Sequence, residues 1–295
     1  MKRLFYNIIA FISKHLGSWV LRVFVWFVAT GYFLFFPNRV ASSKYFYSNL
    51  YTQKSSLFHL WCVWKQYHSF ARVFVDRFKY THFENISYVS EGEDYLEEAL
   101  SNKRGGIILM SHLGNWEIAA HILKQKYKDL PLLLYMGSRN KEQIEKLQKK
   151  SLKERGIQVL AAEEGEETPY DIIQGVRFLR AGGIVSMTGD VLWHREQRSV
   201  ETKFLNHSVR VAEVPHYLAL ITGVPLFVLF SFRIDKSKYS FSVSEPFYLS
   251  AETKAQKIQM VQESAQMYAS LLEEKIKAHP FQWYHFKPFL GSKLS

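Results

Sequence analysis

The stretch GGIILMSHLGNWEIAA, from Gly105 to Ala120, decides how the chain folds. An apolar run from Ile107 to Met110 leads into a short polar segment that contains a glycine, and a second apolar pattern begins at Ile118. This order predicts a short buried strand, a tight turn and the start of a helix. It places His112 at the strand end and Glu117 in the first helical turn, where the helix dipole favours a carboxylate.

Strands and helices alternate along the rest of the chain. Apolar runs predict further strands at 131–136, 157–161, 182–187, 225–234 and 239–243. Amphipathic patterns predict helices at 91–100, 141–156, 171–180 and 254–279. This alternation is typical of βαβ units. The sequence therefore predicts an α/β fold in which helices flank a central, mostly parallel sheet.

Composition narrows the class of partner. The 295 residues are 47% hydrophobic and 16% aromatic, which indicates apolar surface directed at lipid or a long-chain ligand. The net charge of +11 indicates an anionic partner, which could be nucleic acid, anionic lipid or an acidic protein. The single cysteine, Cys62, excludes an intramolecular disulfide and a thiolate metal cluster, and we predict that it is buried.

The amino-terminal segment from Leu16 to Phe36 is apolar except for Arg22. Its length matches the roughly 20 residues that cross a bilayer, and it is too long for a cleaved signal peptide. A transmembrane helix, a monotopic helix in the membrane interface and an internal core helix stay open, because Arg22 is costly at a bilayer centre. We predict a membrane-associated segment over 1–44 and one further domain over 45–295.

Aromatic and basic residues alternate over 45–80 at helical spacing. Such a stripe is typical of a packed helix face, whereas single-stranded nucleic acid is bound by aromatic platforms on strands. The chain shows no helix-turn-helix, finger or RNA-binding strand signature. We therefore predict no nucleic-acid partner, and keep a non-catalytic basic protein that binds membrane or nucleic acid as the alternative function.

A histidine held by a carboxylate acts as a general base, and His112 with Glu117 fits that pattern. Ser111 is a poor nucleophile for this base, because adjacent strand residues point to opposite faces. Cys62 lies in a predicted helix far from the motif. The nucleophile is therefore expected to be a hydroxyl of the substrate, and the reaction a direct acyl transfer to an alcohol.

Two other interpretations of the motif stay open. His112 and Glu117 could bind a metal with help from Asp190, His194 or His207, but a third ligand at a suitable spacing is missing, so we predict no metal. In the simplest interpretation, His112 is a strand-end residue that caps the helix.

The segment HLGNWE, His112 to Glu117, resembles the H-x4-D/E signature of glycerolipid and lipid A acyltransferases. The blocks that follow in order make the chain similar to the bacterial lipid A biosynthesis acyltransferase family. These blocks are an arginine after the next strand (Arg139), GGIVSMTGD ending at Asp190, VETKFLNHSVRVAEVPHYLALITGVPLF from Val200, and HPFQWYHFKPF from His279.

The resemblance implies a glycerolipid acyltransferase-like fold and a role for each matching residue. His112 matches the catalytic base and Glu117 the carboxylate that orients it. Arg139 matches an arginine that binds an anionic group or stabilises the oxyanion, as a guanidinium can. Asp190 matches a strand-end aspartate that organises the site.

Further residues are expected to bind substrate. Asn115 lies inside the motif, and the charged segment after Asp190 offers Arg198 to an anion. Phe204, Leu205 and residues 211–215 match the block that lines the acyl site.

The resemblance also implies the partners. The expected donor is an acyl thioester of acyl carrier protein or coenzyme A, the acceptor a lipid or glycolipid hydroxyl, and no metal or redox cofactor is expected. The positive charge suits an acidic carrier and an anionic membrane surface. The expected location is the bacterial inner membrane, with the active site facing the cytoplasm.

The chain departs from the family in two blocks. Val191 follows Asp190 where the family has glutamine, and the charged LWHREQRSVE replaces a Gly-rich loop. The carboxyl-terminal block reads WYHFKPF, with fewer arginines than the family pattern. The acceptor, a lipid A precursor or another lipid, therefore stays open.

Overall fold

The structure is a computed structural model that describes residues 18–82, 87–137, 152, 156–162, 169–193, 196–235 and 238–294. The chain forms two compact units. The first comprises Met1–Ser87 and Ile276–Phe289, and the second comprises Tyr88–Lys275 and Leu290–Ser295. The predicted division after residue 44 concerns membrane attachment and stays a prediction.

The first unit is helical. It contains α1 (Ser18–Phe35), α2 (Pro37–Leu50), α3 (Ser56–His82) and a short 3-10 turn at Pro280–Gln282. Proline stands at the start of α2, where a backbone N–H has no partner within the helix. Because proline lacks this N–H, it favours a helix start there. The aromatic stripe of the sequence lies on α2 and α3, where Tyr47 and Tyr67 are buried, in agreement with a packed helix face.

No single helix among the described residues is long and apolar enough to cross a bilayer. The segments Arg22–Phe35 and Pro37–Leu50 have the length and composition together, but they meet at an angle of 89°. The predicted membrane association of this segment stays a prediction.

The carboxyl-terminal aromatic block packs within the first unit. Trp283 is buried, and its carbonyl accepts a hydrogen bond from the Gln66 side chain. The Tyr47 hydroxyl donates to the Pro280 carbonyl at 2.8 Å. Aromatic rings of the block also pack against α2 and α3, where the Trp283 ring lies 4.7 Å from the Phe46 ring and the Phe286 ring 4.8 Å from the Tyr67 ring, centroid to centroid.

The second unit is built on a seven-stranded sheet. It contains all or nearly all residues of each of the following elements: β1 (Ser87–Glu91), α4 (Glu93–Ser101), β2 (Gly106–Met110), α5 (Trp116–Lys126), β3 (Leu132–Gly137), β4 (Gln158–Ala162), α6 (Pro169–Arg180), β5 (Ile184–Thr188), β6 (Ser199–Phe204), β7 (His207–Ala212), α7 (Val214–Thr222), β8 (Leu226–Asp235), β9 (Lys238–Val243) and α8 (Lys254–Ala278). The strand order is β1-β9-β8-β2-β5-β3-β4.

The sheet is mostly parallel, as predicted. Strand β2 pairs in parallel with β5 and β8, β3 pairs in parallel with β4 and β5, and β8 pairs antiparallel with β9. All five residues of β2 are buried, which agrees with its position in the middle of the sheet. Met110 lies opposite Thr188 in the register of β2 and β5, so the segments that follow these two strands begin side by side.

Strands β6 and β7 form a separate antiparallel hairpin that the sequence did not predict. Leu205 and Asn206 turn the chain with positive φ angles of 47° and 58°. Helix α8 lies along the β6 edge and binds its backbone through side chains. Gln262 and Gln266 contact the backbone of Glu201 and Lys203, and Glu273 accepts from the Leu205 N–H at 2.7 Å.

The predicted helix at 141–156 lies mostly outside the described residues. Helix α7 is a further element that the sequence did not predict.

Candidate active site

The HLGNWE motif, His112 to Glu117, forms a tight turn after β2 and the first residues of α5. Gly114 adopts a φ of +80°, and a Cβ atom there would lie 1.8 Å from the Ser231 carbonyl oxygen of β8. The next amide, of Asn115, donates to that same carbonyl at 2.8 Å. Only glycine permits both the backbone angle and this approach, so Gly114 lets the turn lie directly against β8.

Asn115 is the N-cap of α5. Its side-chain oxygen accepts from the Ile118 N–H at 3.3 Å, and its amide donates to the Tyr239 hydroxyl at 3.4 Å. The residue is buried, and both contacts serve the fold. The predicted role of Asn115 in substrate binding stays a prediction.

His112 is held by Asp190 through two atoms at once. The backbone N–H of His112 donates to Oδ2 at 2.8 Å, and Nδ1 contacts Oδ1 at 2.9 Å. The Asp190 side chain has 0% exposure, whereas the His112 side chain is 26% exposed. With the Nδ1 proton directed at the carboxylate, the lone pair of the neutral ring lies on Nε2, which is the arrangement of a general base.

Glu117 is buried in the first turn of α5, as the motif predicts. Its Oε1 lies 3.9 Å from Nε2 of His121, one turn along the helix. The carboxylate seen on Nδ1 of His112 is that of Asp190, a site-organising residue in the sequence prediction. The predicted orienting role of Glu117 stays a prediction.

Neither candidate protein nucleophile has the surroundings of an activated group. The Ser111 hydroxyl is buried and accepts from the Leu113 N–H at 3.2 Å. Burial raises the pKa of the Cys62 thiol to about 11, so the thiol is neutral at ordinary pH. The predicted use of a substrate hydroxyl as the nucleophile stays a prediction.

One aromatic residue beside His112 was missed by the sequence prediction. The ring of Trp193 lies 6.3 Å from the His112 ring, centroid to centroid, and its backbone N–H donates to the Gln197 side chain at 2.7 Å. Its place in the charged segment that departs from the family was the available signal. Trp193 therefore contributes an aromatic surface near His112.

The remaining candidates from the sequence are Arg139, His194 and Arg198. Arg139 and His194 lie outside the described residues. The Arg198 side chain is exposed, and its carbonyl accepts from the Glu213 N–H at 3.2 Å. Its predicted anion contact stays a prediction.

The predicted acyl-site block occupies the hairpin and the start of α7. Phe204, Val211 and Val214 are buried there, and Leu205 is half-buried in the turn. Nδ1 of His207 contacts the Leu205 carbonyl oxygen at 2.7 Å. Among the described residues, no three His, Cys, Asp or Glu side chains could together hold a metal ion.

The fold and the site define an α/β protein in which a histidine contacts a buried carboxylate at the carboxyl ends of parallel strands. The sequence profile of the family named bacterial lipid A biosynthesis acyltransferase matches residues 62–290. The chain therefore belongs to this family, and the resemblance seen in the sequence is confirmed.

Two curated relatives are similar to the chain. They are the phosphatidylinositol mannoside acyltransferases of Mycobacterium tuberculosis strains ATCC 25618 / H37Rv and CDC 1551 / Oshkosh, each 24% identical over 218 residues. The similarity covers 71% of this chain and 62% of each relative, so the chain matches less than two thirds of their length.

Proposed function

We propose that the protein transfers a fatty acyl group from an acyl thioester to a hydroxyl group of a lipid or glycolipid. Family membership supports acyl transfer in lipid biosynthesis. The observation that carries the chemistry is the double contact of Asp190 with His112, because it directs the Nδ1 proton to the carboxylate and the ring lone pair to Nε2.

In the proposed reaction, Nε2 of His112 takes the proton of the acceptor hydroxyl as its oxygen attacks the thioester carbonyl. The tetrahedral intermediate then expels the thiolate, which receives the proton from His112. The products are an ester and a free thiol, and no metal or redox cofactor takes part. Arg139 is our candidate for stabilising the oxyanion, where a single donor contributes about 10²-fold or more in rate.

The acceptor is proposed to carry a sugar. The similar mycobacterial proteins are named for a mannoside acceptor, and Trp193 places an aromatic surface beside the base. Aromatic side chains commonly line ligand pockets, and a flat indole suits the face of a sugar ring. The donor is proposed to be acyl carrier protein, whose acidic surface complements the net charge of +11.

The protein is proposed to act at the cytoplasmic face of the bacterial inner membrane. Helix α1 supports contact with a membrane, since Trp19, Phe27 and Phe35 are 59%, 65% and 80% exposed. Apolar side chains exposed on this scale are typical of surfaces that contact lipid or another protein.

The test is mass spectrometry of total lipids from cells that express the wild type or His112→Ala. We expect one lipid to gain an acyl group with the wild type only. His59→Gln is the control, because His59 is a buried histidine of the first unit that contacts the Tyr51 carbonyl and lies outside the candidate site. Acyl transfer by purified His112→Ala would overturn the mechanism, and salt-sensitive binding of nucleic acid without acyl transfer would favour the non-catalytic alternative.

A further inference from the structure

The ends of β2 and β5 are joined at the Met110 carbonyl oxygen. This oxygen accepts two hydrogen bonds, from the Gly189 N–H at 2.9 Å and from the Tyr268 hydroxyl at 3.1 Å. His112 follows Met110 by two residues, and Asp190 follows Gly189 directly. The two hydrogen bonds therefore lie immediately beneath the histidine–aspartate pair.

The ring of Tyr268 also lies against the backbone of Gly189. A Cβ atom at Gly189 would lie 2.7 Å from Cε1 and from Cζ of that ring, and 3.0 Å from Cδ1 of Leu109. Tyr268 has 0% exposure. Its ring and its hydroxyl thus contact both strand ends, and the absence of a side chain at Gly189 is what permits the contact.

Helix α8, which carries Tyr268, is anchored one turn earlier. The Ser264 hydroxyl contacts Nδ1 of the buried His216 of α7 at 2.8 Å. This contact joins α8 to α7 one helical turn before Tyr268.

We propose that Tyr268 is a positioning residue that sets the distance between Asp190 and His112. This inference rests on the proposed function, because it assigns Tyr268 a part in catalysis through the base. The carboxylate is within hydrogen-bond distance of two His112 atoms, and a small displacement of either strand end lengthens both contacts.

The protonation state of the Tyr268 hydroxyl supports this arrangement. Burial raises the pKa of Tyr268 well above its usual range, the negative Asp190 raises it further, and the Gly189 backbone hydrogen bond opposes part of the rise. The phenol is therefore protonated at neutral pH and can donate to the Met110 carbonyl.

The direct test is proton and nitrogen NMR of protein with labelled histidines. The Nδ1 proton of His112, assigned by its loss in His112→Ala, is expected far downfield in the wild type because it faces a carboxylate. In Tyr268→Phe, which keeps the ring, this resonance is expected to move upfield or to be lost by exchange. This measurement needs no acyl transfer, so it separates failure of the inference from failure of the proposed function.

Tyr47→Phe is the matched control. Its hydroxyl also donates from a fully buried tyrosine to a backbone carbonyl, but within the first unit. Both variants are expected to lower the thermal midpoint by a similar amount, and only Tyr268→Phe is expected to change the His112 resonance. Unfolding of Tyr268→Phe would make the residue a stability element and would overturn the proposal.

Steady-state kinetics of acyl transfer give the second measurement. We expect Tyr268→Phe to lower kcat between about tenfold and a hundredfold while KM changes little, because the base is displaced and the substrate contacts are kept. Gly189→Ala disturbs the same contact from the other side and is expected to shift the same resonance. An unchanged His112 resonance in both variants overturns the proposal, and so does an unchanged kcat in Tyr268→Phe.

Discussion

The carboxylate of Asp190 holds the backbone and the ring of His112 at the same time, at 2.8 and 2.9 Å. The two residues are 78 positions apart and meet because β2 and β5 are neighbours in the sheet. The same carboxylate therefore restrains the strand end and favours the imidazole tautomer that carries its proton on Nδ1.

Asp190→Asn is predicted to lower kcat by about 10³-fold or more, because it reverses the imidazole tautomer. The backbone N–H of His112 needs an acceptor and would take the single oxygen of the new amide. The amide nitrogen would then face Nδ1 and force it to accept, which places the proton on Nε2. The measurement is steady-state acyl transfer together with nitrogen NMR of the histidine tautomer.

Two further variants complete that experiment. Glu117→Gln is expected to lower turnover if Glu117 orients the base as predicted, but to keep the proton on Nδ1. Asp235→Asn is the control, because Asp235 is exposed at the end of β8. Wild-type turnover in Asp190→Asn would contradict the assignment of Asp190.

Gly114→Ala is predicted to destabilise the protein by at least about 4 kcal/mol, because the new methyl group would overlap the Ser231 carbonyl. Gly223→Ala is the matched comparison. Gly223 also has a positive φ, of +70°, but a Cβ atom there meets nothing within 4 Å, so only backbone strain of about 1 kcal/mol is expected. Urea titration measures both, and equal losses would show that the contact with β8 is unimportant.

Asn115→Ala is predicted to cost about 1 kcal/mol of stability through loss of the α5 cap. Asn115→Ser keeps a capping oxygen, so we expect it to recover most of the stability and the turnover. The same preparations test the predicted substrate role. A serine variant with wild-type stability and a raised KM for the acceptor would show that the Asn115 amide binds substrate.

His216→Asn is predicted to flatten the dependence of stability on pH. Burial lowers the pKa of His216 from 6.5 to about 3. Between these values the unfolded state binds more protons than the folded state, so stability falls as the pH falls. Urea midpoints between about pH 7 and about pH 4 should fall more steeply in the wild type than in the variant. Parallel curves would contradict a buried, neutral His216.

Much of the central fold was predictable because apolar runs bounded by glycine or proline mark buried strands. The apolar run at 107–110 corresponds to β2 (Gly106–Met110), and the run at 225–234 corresponds to β8 (Leu226–Asp235). The mostly parallel sheet was confirmed. Such strands are apolar on both faces, which gives a strong signal in a single sequence.

The hairpin of β6 and β7 was missed for a physical reason. Its turn uses Leu205 and Asn206 at positive φ, and the sequence offers no glycine there to mark a turn. The available signal was the alternation in SVETKF, where Val200, Thr202 and Phe204 take every second position, and the structure buries these three side chains. The contact between Asp190 and His112 depends on strand order and register, and neither follows from the local spacing of a motif.

Helix α8 also covers an edge of β6 that could otherwise pair with a strand of another molecule. An edge strand normally presents unpaired N–H and C=O groups that can recruit a strand from another molecule. Here the amides of Gln262 and Gln266 and the carboxylate of Glu273 occupy backbone groups of that edge. Side chains of α8, and not a third strand, therefore cover the β6 edge. This leaves fewer backbone groups of β6 with which a strand of a second copy could pair.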